Sequence, residues 1–280
     1  MQNFITVTNV MKDVDMTVTK KISEYIREKG GTVLNFFNDE SIGGIDCSKV
    51  PSNCECVLVL GGDGTLIRTA TLLESLQIPL IGVNLGTLGY LCELEEETVL
   101  AGIDELFEDH YMIEHRMMIQ GYKLGKRKKT IALNDIVIHR VFDLSIITMN
   151  VYVNGELLTT YLADGIIVAT PTGSTAYNMS AGGPIVDPTS KLLLLTPINA
   201  HNLNSKSIVL KADDVIEIEI GERRSQKDEM AGVSFDGDSF EKLQLGDRIV
   251  ISKANAFTKI CKINKKSFLE TLRKKMNTTY

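Results

Sequence analysis

An α/β domain built on a parallel sheet, followed by a β-rich domain, is the architecture this sequence predicts. Three observations carry it. Over residues 1–116, strand-like apolar runs alternate with amphipathic helical stretches, the pattern of a parallel sheet with crossover helices. Within that region, Cys56–Ala70 reads as buried strand, glycine-rich turn and helix. Near Met117 the pattern changes to short strands separated by turn signals, which marks a β-rich domain over residues 117–256. The remaining stretch, 257–280, carries a helical face that needs cover and is expected to pack back on the first domain.

Phe4–Thr8 reads as the first strand. Asp13–Lys29 follows as a helix with Val14, Val18, Ile22 and Tyr25 on one face, stopped by Gly30-Gly31. Thr32–Phe36 is a second strand, and a loop with Gly43-Gly44 and Pro51 leads to the apolar run Val57–Leu60. That run suits a strand buried on both faces. It ends at Gly61-Gly62-Asp63-Gly64-Thr65, after which Leu66, Ile67, Ala70, Leu73 and Leu76 share a helical face. Glycines let an anion approach the main chain, and a helix start offers unpaired N–H groups and a positive dipole end. An ordinary tight turn explains two glycines but not Asp63. A carboxylate beside a phosphate site is unfavourable unless it holds a hydroxyl, a metal or a proton.

Ile78–Val83 is the next strand. Asn84–Tyr90 is a second glycine-bearing loop, either the wall of a binding crevice or a plain connection. Glu95–His110 reads as a helix with Val99, Ile103 and Leu106 apolar. The alternation makes a Rossmann-like parallel sheet, which binds ligands outside the carboxyl ends of its strands. Both glycine loops fall at that edge.

In the β-rich region, Ile119–Leu124 and Thr130–His139 read as strands joined by the basic turn Gly125–Lys129. Leu144–Val153 and Leu157–Tyr161 flank Asn154-Gly155, a strong hairpin signal. Val168 closes another strand, and Ser207–Lys211, Val215–Ile220, Val233–Asp236 and Arg248–Lys253 complete the set. The tail Ser267–Met276 is helical, with Phe268, Leu272 and Met276 on one face.

Composition narrows the function. Hydrophobic content of 44% and charged content of 24% are those of a soluble globular chain. A net charge of -6 argues against a general nucleic-acid binder. No apolar stretch reaches the ~18–20 residues that cross a bilayer, and no secretory signal opens the chain. Cys47, Cys54, Cys56, Cys92 and Cys261 are scattered and odd in number, which suits reduced thiols in the cytoplasm rather than a disulfide framework. Cys54-Glu55-Cys56 has no second cysteine pair, so no metal site is expected there.

Polar, glycine-marked stretches recur in the second domain. Asn134-Asp135 interrupts the apolar run Ile131–Ile138, and buried polar groups need partners. Asp164-Gly165 precedes a strand. Thr170-Pro171-Thr172-Gly173-Ser174-Thr175-Ala176-Tyr177, then Ser180–Pro184, lead into a short helix like an anion or ribose site. An N-capped helix alone explains Ser174 or Thr175, but not the density of small polar residues on both sides. Asp236-Gly237-Asp238 reads as a turn that lacks the later ligands of a calcium loop.

Together, GGDGT at 61–65, Gly86–Tyr90, Asn134-Asp135, Asp164-Gly165, Thr170–Tyr177, Ser180–Pro184, Pro197–Leu210 and Phe235–Gly237 resemble the NAD kinase family, in the same order and over nearly the whole chain. GGDGT alone is shared with diacylglycerol and sphingosine kinases; Asn-Asp followed by TPTGSTAY is far more specific. Tyr90 stands where Phe commonly follows the glycine. The resemblance implies an active site between the two domains. It implies transfer of the γ-phosphoryl of ATP, or of a phosphoryl of inorganic polyphosphate, to the 2′-hydroxyl of the adenosine ribose of NAD. Asp63 would accept the hydroxyl proton. Gly64, Tyr90, Asn134, Asp135, Asp164, Thr172, Thr175, Ala176, Tyr177 and Ser180 would join Asp63 in the NAD site. Gly61, Gly62, Gly64, Thr65 and Arg68 would take the donor phosphates. Mg²⁺ or another divalent metal would arrive with ATP, without a protein-only metal cage. A homodimer or homotetramer is expected. Two other readings share parts of the pattern: a lipid or sphingoid-base kinase, which needs a large apolar pocket, and a non-catalytic nucleotide-binding regulator, which needs a damaged reactive centre.

Overall fold

The computed structural model describes residues 1–38, 45–86, 89–141, 146–201, 205–222, 231–263 and 267–277. Gly43-Gly44 of the first loop, and Thr87 and Leu88 of the second glycine loop, lie outside the described residues. The chain divides into two compact units, Met1–His115 with Phe257–Tyr280, and Arg116–Ala256.

In the first unit, strands β1 (Asn3–Asn9), β2 (Thr32–Asn38), β3 (Cys56–Gly61) and β4 (Leu80–Asn84) form a parallel sheet in the order β2-β1-β3-β4. The two-residue strand β5 (Leu94–Glu95) and Ile260, on the last strand of the chain, run parallel beside β4. Helices α1 (Thr17–Glu28), α2 (Asp63–Leu72) and α3 (Val99–Phe107) cross between strands. Leu58, Leu60 and Ile81 join Ile22 and Ile26 of α1 and Ile103 and Leu106 of α3 in one core. Each such side chain contributes roughly 1.5–3 kcal/mol when fully buried.

Three helices differ from expectation: α3 spans Val99–Phe107 rather than Glu95–His110, because Glu95 belongs to β5, and α1 and α2 differ for local reasons of their own. α1 begins at Thr17 because Asp13 caps it from upstream. The Asp13 carboxylate accepts from the Val18 N–H at 3.2 Å, the Thr19 N–H at 2.9 Å and the Thr19 hydroxyl at 2.7 Å. Val14 therefore lies outside the helix and is 74% exposed. α2 stops at Leu72, and a 3₁₀ turn at Glu74–Leu76 takes Leu76 off the apolar face that Leu66, Ala70 and Leu73 bury.

The strands of the second unit are β7 (Thr130–Ala132), β8 (Asp135–Arg140), β9 (Ile147–Val153), β10 (Glu156–Ala163), β11 (Gly165–Ala169), β12 (Leu192–Ile198), β13 (Ile208–Lys211), β14 (Ile216–Ile220), β15 (Ala231–Phe235) and β16 (Ser239–Leu243), with the larger parts of β6 (Met112–Lys123) and β17 (Arg248–Lys262), whose residues before Arg116 and after Ala256 belong to the first. One sheet runs β10-β9-β14-β17, with β6 pairing β17 and β7. The other is antiparallel in the order β13-β12-β11-β8-β15-β16. Inward-facing residues of both sheets, among them Ile136, Ile166, Leu193, Val151, Ile218 and Ile251, fill one shared core. The Asn154-Gly155 hairpin turn has φ of 52° and 82°, the left-handed pair that a type I′ turn requires.

Several strands depart from the sequence reading. The run expected over Thr130–His139 is broken at Leu133-Asn134 into β7 and β8. β6 starts at Met112 rather than at Ile119, β17 continues to Lys262, and β12 and β16 were not expected at all. β12 contains Pro197, which lies opposite Ile166 in the ladder. The short helix α4 spans Tyr177–Ser180. The tail forms α5 (Phe268–Asn277) and belongs to the first unit. Its expected apolar face is only partly covered: Phe268 and Leu272 are half-buried and Met276 is 71% exposed.

Candidate active site

The first unit presents the glycine-rich turn at the carboxyl end of β3. Gly62, in extended backbone, precedes α2, so Asp63 is the first residue of the helix rather than the middle of a turn. A carboxylate there is favoured by the helix dipole. It is also held from outside the helix. The Asp63 carboxylate accepts from the Tyr90 N–H at 2.5 Å, the Leu91 N–H at 3.2 Å and the Cys92 N–H at 3.3 Å. Gly89 makes this approach feasible, because any side chain there would collide with the Asp63 carboxylate. Gly61 is needed for a similar reason, since a side chain would strike Thr65. Thr65 is buried, and its hydroxyl accepts from Asn9 Nδ2 at 3.3 Å. Gly64 faces open space, and Arg68 is half-buried one turn further along α2.

The second glycine loop is shaped from within. Asn84 Nδ2 donates to the Gly86 carbonyl at 2.7 Å, and the Leu85 N–H to the Gly61 carbonyl at 2.8 Å. Tyr90 is half-buried, with Lys275 Nζ of α5 4.3 Å from its ring centroid. Sequence reasoning missed Lys12. A side chain at Gly62 would begin 2.8 Å from Lys12 Nζ, and one at Gly86 3.4 Å from it.

The second unit holds a cavity of about 580 Å³. Asn134, Asp135, Asp164, Ala176 and Tyr177 line it, all five expected from the sequence; His139, Arg140, Asn199, Ser234 and Asp236 line it too and were not. Thr172, Thr175 and Ser180 are not brought to its wall. Thr172 is buried, the Thr175 hydroxyl turns back to the Thr172 carbonyl at 3.4 Å, and Ser180 is exposed. The hydroxyl-rich segment is largely self-bracing. The Thr170 hydroxyl donates to the Leu133 carbonyl at 2.6 Å, and Asn178 Nδ2 donates to the carbonyls of Ser174 and Pro184 at 3.2 and 3.1 Å. Gly173 has no room for a side chain against the Asn134 backbone. These contacts press the segment onto the Asn134-Asp135 strand.

Asp236 explains why that strand is interrupted. Its carboxylate accepts from the N–H groups of Leu133 and Asn134, each at 2.7 Å, and of Asp135 at 3.1 Å. Those three donors have left the ladder. Asp236 itself sits at a φ of 50°, in the left-handed region. Burial, and then the neighbouring Asp236 carboxylate, push Asp135 up to about 7. Burial also raises Asp236, against the three N–H bonds that lower it. Across the cavity, Asp164 is fixed by Arg140 Nε at 3.2 Å and by Asn199 Nδ2 at 3.0 Å. The buried Asn134 Oδ1 has no hydrogen-bond partner among the described residues, an acceptor left for a ligand. A cavity so lined suits a hydroxyl- and amide-rich molecule rather than an acyl chain. Among the described residues no three histidine, cysteine or acidic side chains converge to hold a metal.

Comparison with known proteins follows the same division. Residues 9–111 match the ATP-NAD kinase N-terminal domain, and residues 133–263 the ATP-NAD kinase C-terminal domain. The chain is 59% identical to the NAD kinase of Agathobacter rectalis, over 99% of each. It is 44% identical to that of Lachnospira eligens, over 99% of this chain and 100% of the other. Among solved structures, the fold is similar to that of yeast NADH kinase complexed with NADH, with a TM-score of 0.81, 23% identity, and cover of 100% of this chain and 89% of the other. It is also similar to that of an NAD kinase from Archaeoglobus fulgidus in complex with ATP, with a TM-score of 0.78, 23% identity and full cover of both chains.

Proposed function

This chain belongs to the NAD kinase family, a family of phosphotransferases, and we propose that it moves the γ-phosphoryl of ATP, or a phosphoryl of polyphosphate, to the 2′-hydroxyl of the adenosine ribose of NAD. The observation that carries the reading is Asp63: a carboxylate at the start of a helix, fixed by three N–H donors and flanked by glycines. Phosphoryl transfer needs a positioned hydroxyl and charge stabilisation more than covalent help. Asp63 orients the hydroxyl and accepts its proton as the bond from that oxygen to the transferred phosphorus forms and the bond from phosphorus to the donor's bridging oxygen breaks, releasing ADP or a shortened polyphosphate. Gly61, Gly62, Gly64, Thr65 and Arg68 receive the donor phosphates. Residues 117–256 bind NAD through Asn134, Asp135, Asp164, Ala176 and Tyr177, with Tyr90 contributing from the first unit's loop. Thr172, whose buried hydroxyl has no hydrogen-bond partner among the described residues, joins Thr175 and Ser180 in completing the NAD site.

Mg²⁺ or another divalent ion enters with ATP as part of the substrate and neutralises its phosphate charge. The donor set fits this reading, because the oxygens of Asp63 already face three N–H groups. The enzyme works as a homodimer or homotetramer in the cytoplasm. Five free thiols suit a reducing compartment, and among the described residues no helix is long and apolar enough to cross a membrane. Incubation with NAD, ATP and Mg²⁺, followed by phosphorus NMR, should place the new phosphate on the 2′-hydroxyl. An NAD analogue lacking that hydroxyl should compete without being phosphorylated. A product phosphorylated elsewhere, or on a lipid, would overturn the assignment.

A further inference from the structure

The first unit carries a cation that the donor site above does not yet use. Lys12 lies in the turn after β1. Its own N–H donates to the Asn9 carbonyl at 3.0 Å, and Asn9 Oδ1 accepts from the Met11 N–H at 3.0 Å. Asn9 Nδ2 in turn reaches the Thr65 hydroxyl in the first turn of α2. The turn that bears Lys12 is thus tied to the glycine-rich turn itself. Lys12 is exposed, yet its ammonium comes to rest over backbone, 2.8 Å from where a side chain at Gly62 would begin and 3.4 Å from where one at Gly86 would. These two glycines follow β3 and β4, adjacent strands of the sheet, at the edge where a parallel sheet binds its ligands. Among the described residues no carboxylate pairs with Lys12. Its charge is felt at the Cys92 thiol, whose backbone N–H holds Asp63.

The chemistry of the site calls for such a group. A phosphate chain approaching Gly62 meets the Asp63 carboxylate, and like charges at close range repel, more strongly in a closed site than in water. Backbone N–H groups and the helix dipole offset part of this. A mobile ammonium over the two glycines offsets the rest, and only side-chain-free positions leave it room to share the space with an anion. We propose that Lys12 is a donor-binding residue, whose ammonium contacts the phosphate chain of the phosphoryl donor over Gly62 and Gly86. This rests on the reading that the turn at 61–65 receives the donor. The chemistry is that of a linear phosphate chain, shared by ATP and inorganic polyphosphate, so both are tested.

Full-length wild type, Lys12→Met and Lys12→Arg are compared with Mg²⁺·ATP and with tripolyphosphate as donors. A charge-assisted hydrogen bond is worth about tenfold or more in binding. Lys12→Met should therefore raise the KM of the donor that wild type uses about tenfold, leave the KM of NAD within about twofold, and leave the melting temperature unchanged. Lys12→Arg should recover most of the loss. An unchanged donor KM in Lys12→Met, or an equal rise for NAD and donor, overturns the proposal. A second readout does not depend on turnover. Wild type is acetylated briefly with a water-soluble reagent, and Lys12 is followed by peptide mass spectrometry. Tripolyphosphate or Mg²⁺·ATP should protect Lys12, and NAD alone should not. If wild type forms no NADP, the functional reading fails, and protection of Lys12 by a donor still upholds this proposal, whereas labelling unaffected by either donor refutes it.

Discussion

The two units each present an aspartate beside a cluster of backbone N–H groups, and they use it in opposite ways. At Asp63 the donors of Tyr90, Leu91 and Cys92 all turn to the carboxylate of that aspartate itself. At Asp135 the equivalent donors, those of Leu133, Asn134 and Asp135, turn to a different acid, Asp236. Asp63 is half-buried, and its carboxylate oxygens are fixed in place by the three N–H groups. Asp135 is buried, unshielded from Asp236, and held up to about 7, as suits a group that can offer or accept a hydrogen bond in recognition. One arrangement positions an acceptor for chemistry; the other breaks a strand open and leaves its polar side chains free for a ligand.

The largest expected effect breaks the first half of this comparison. Asp63→Asn should lower turnover by ~10²-fold or more, the scale for losing a positioned acid–base group. It should also destabilise the first unit by about 1–3 kcal/mol, because the amide can turn only one oxygen to the three N–H groups. Single-turnover rates on protein below its melting transition separate the two effects. Turnover near wild type with the stability loss intact would mean that Asp63 merely caps the Tyr90–Cys92 loop.

A smaller effect sharpens the second half. The folded-state value of Asp135 lies near 7, above the ordinary carboxylate value of 3.8. A raised carboxylic acid contributes stability that is fully present below the unfolded value and lost as pH rises through the folded one. Stability of the second unit should therefore fall between about pH 4 and 7 and level off above that. The total is a few kcal/mol at most, at ~1.4 kcal/mol per pH unit. Asp135→Asn removes most of this slope and is relatively more stable at pH 8 than at pH 5. His139, Arg140, Asp164 and Asp236 line the same cavity and remain in the variant, and a slope unchanged in Asp135→Asn would assign the titration to Asp236, which burial also raises. NAD binding should weaken while donor binding stays close to wild type.

Local signals made much of this legible in the chain. Val57–Leu60 announces a buried strand, Asn154-Gly155 a hairpin, and Gly61–Thr65 the turn that holds Asp63. What was not legible is held by long-range contacts. Nothing near Asp236 in sequence signals that it caps a strand break about 100 residues away, as its hydrogen bonds to Leu133 and Asn134 do, at separations of 103 and 102. Lys12 is an ordinary surface lysine until the turn after β1 is placed against Gly62 and Gly86. β12 was hidden because Pro197 breaks the local strand pattern, although it lies opposite Ile166 in the ladder with β11. The hydroxyl of Thr175 looked like a ligand group because spacing cannot say whether a hydroxyl points into a cavity or back at its own backbone, whereas the buried Thr172 hydroxyl has no hydrogen-bond partner among the described residues.

The smallest effect concerns what supports the Asp63 side of the comparison. The tail was expected to bury Phe268, Leu272 and Met276, but among the described residues of α5 none is fully buried, and Met276 faces outward. Removing the chain from Ser267 onward should therefore destabilise the first unit by only about 1–2 kcal/mol, below the sum for three buried side chains. Its effect on rate has a definite route. Lys275 sits over the Tyr90 ring, and the Tyr90 N–H is the shortest of the three bonds to Asp63. A cation over an exposed aromatic ring is worth about 0.5–1 kcal/mol. Lys275→Met alone should reproduce a two- to fivefold loss of turnover with little change in melting temperature, and Tyr90→Phe, which keeps the aromatic face, should be nearly silent. If truncation lowers the rate and Lys275→Met does not, the tail acts through Phe268 and Leu272 on the body of the unit, and the loop that clasps Asp63 stands without it.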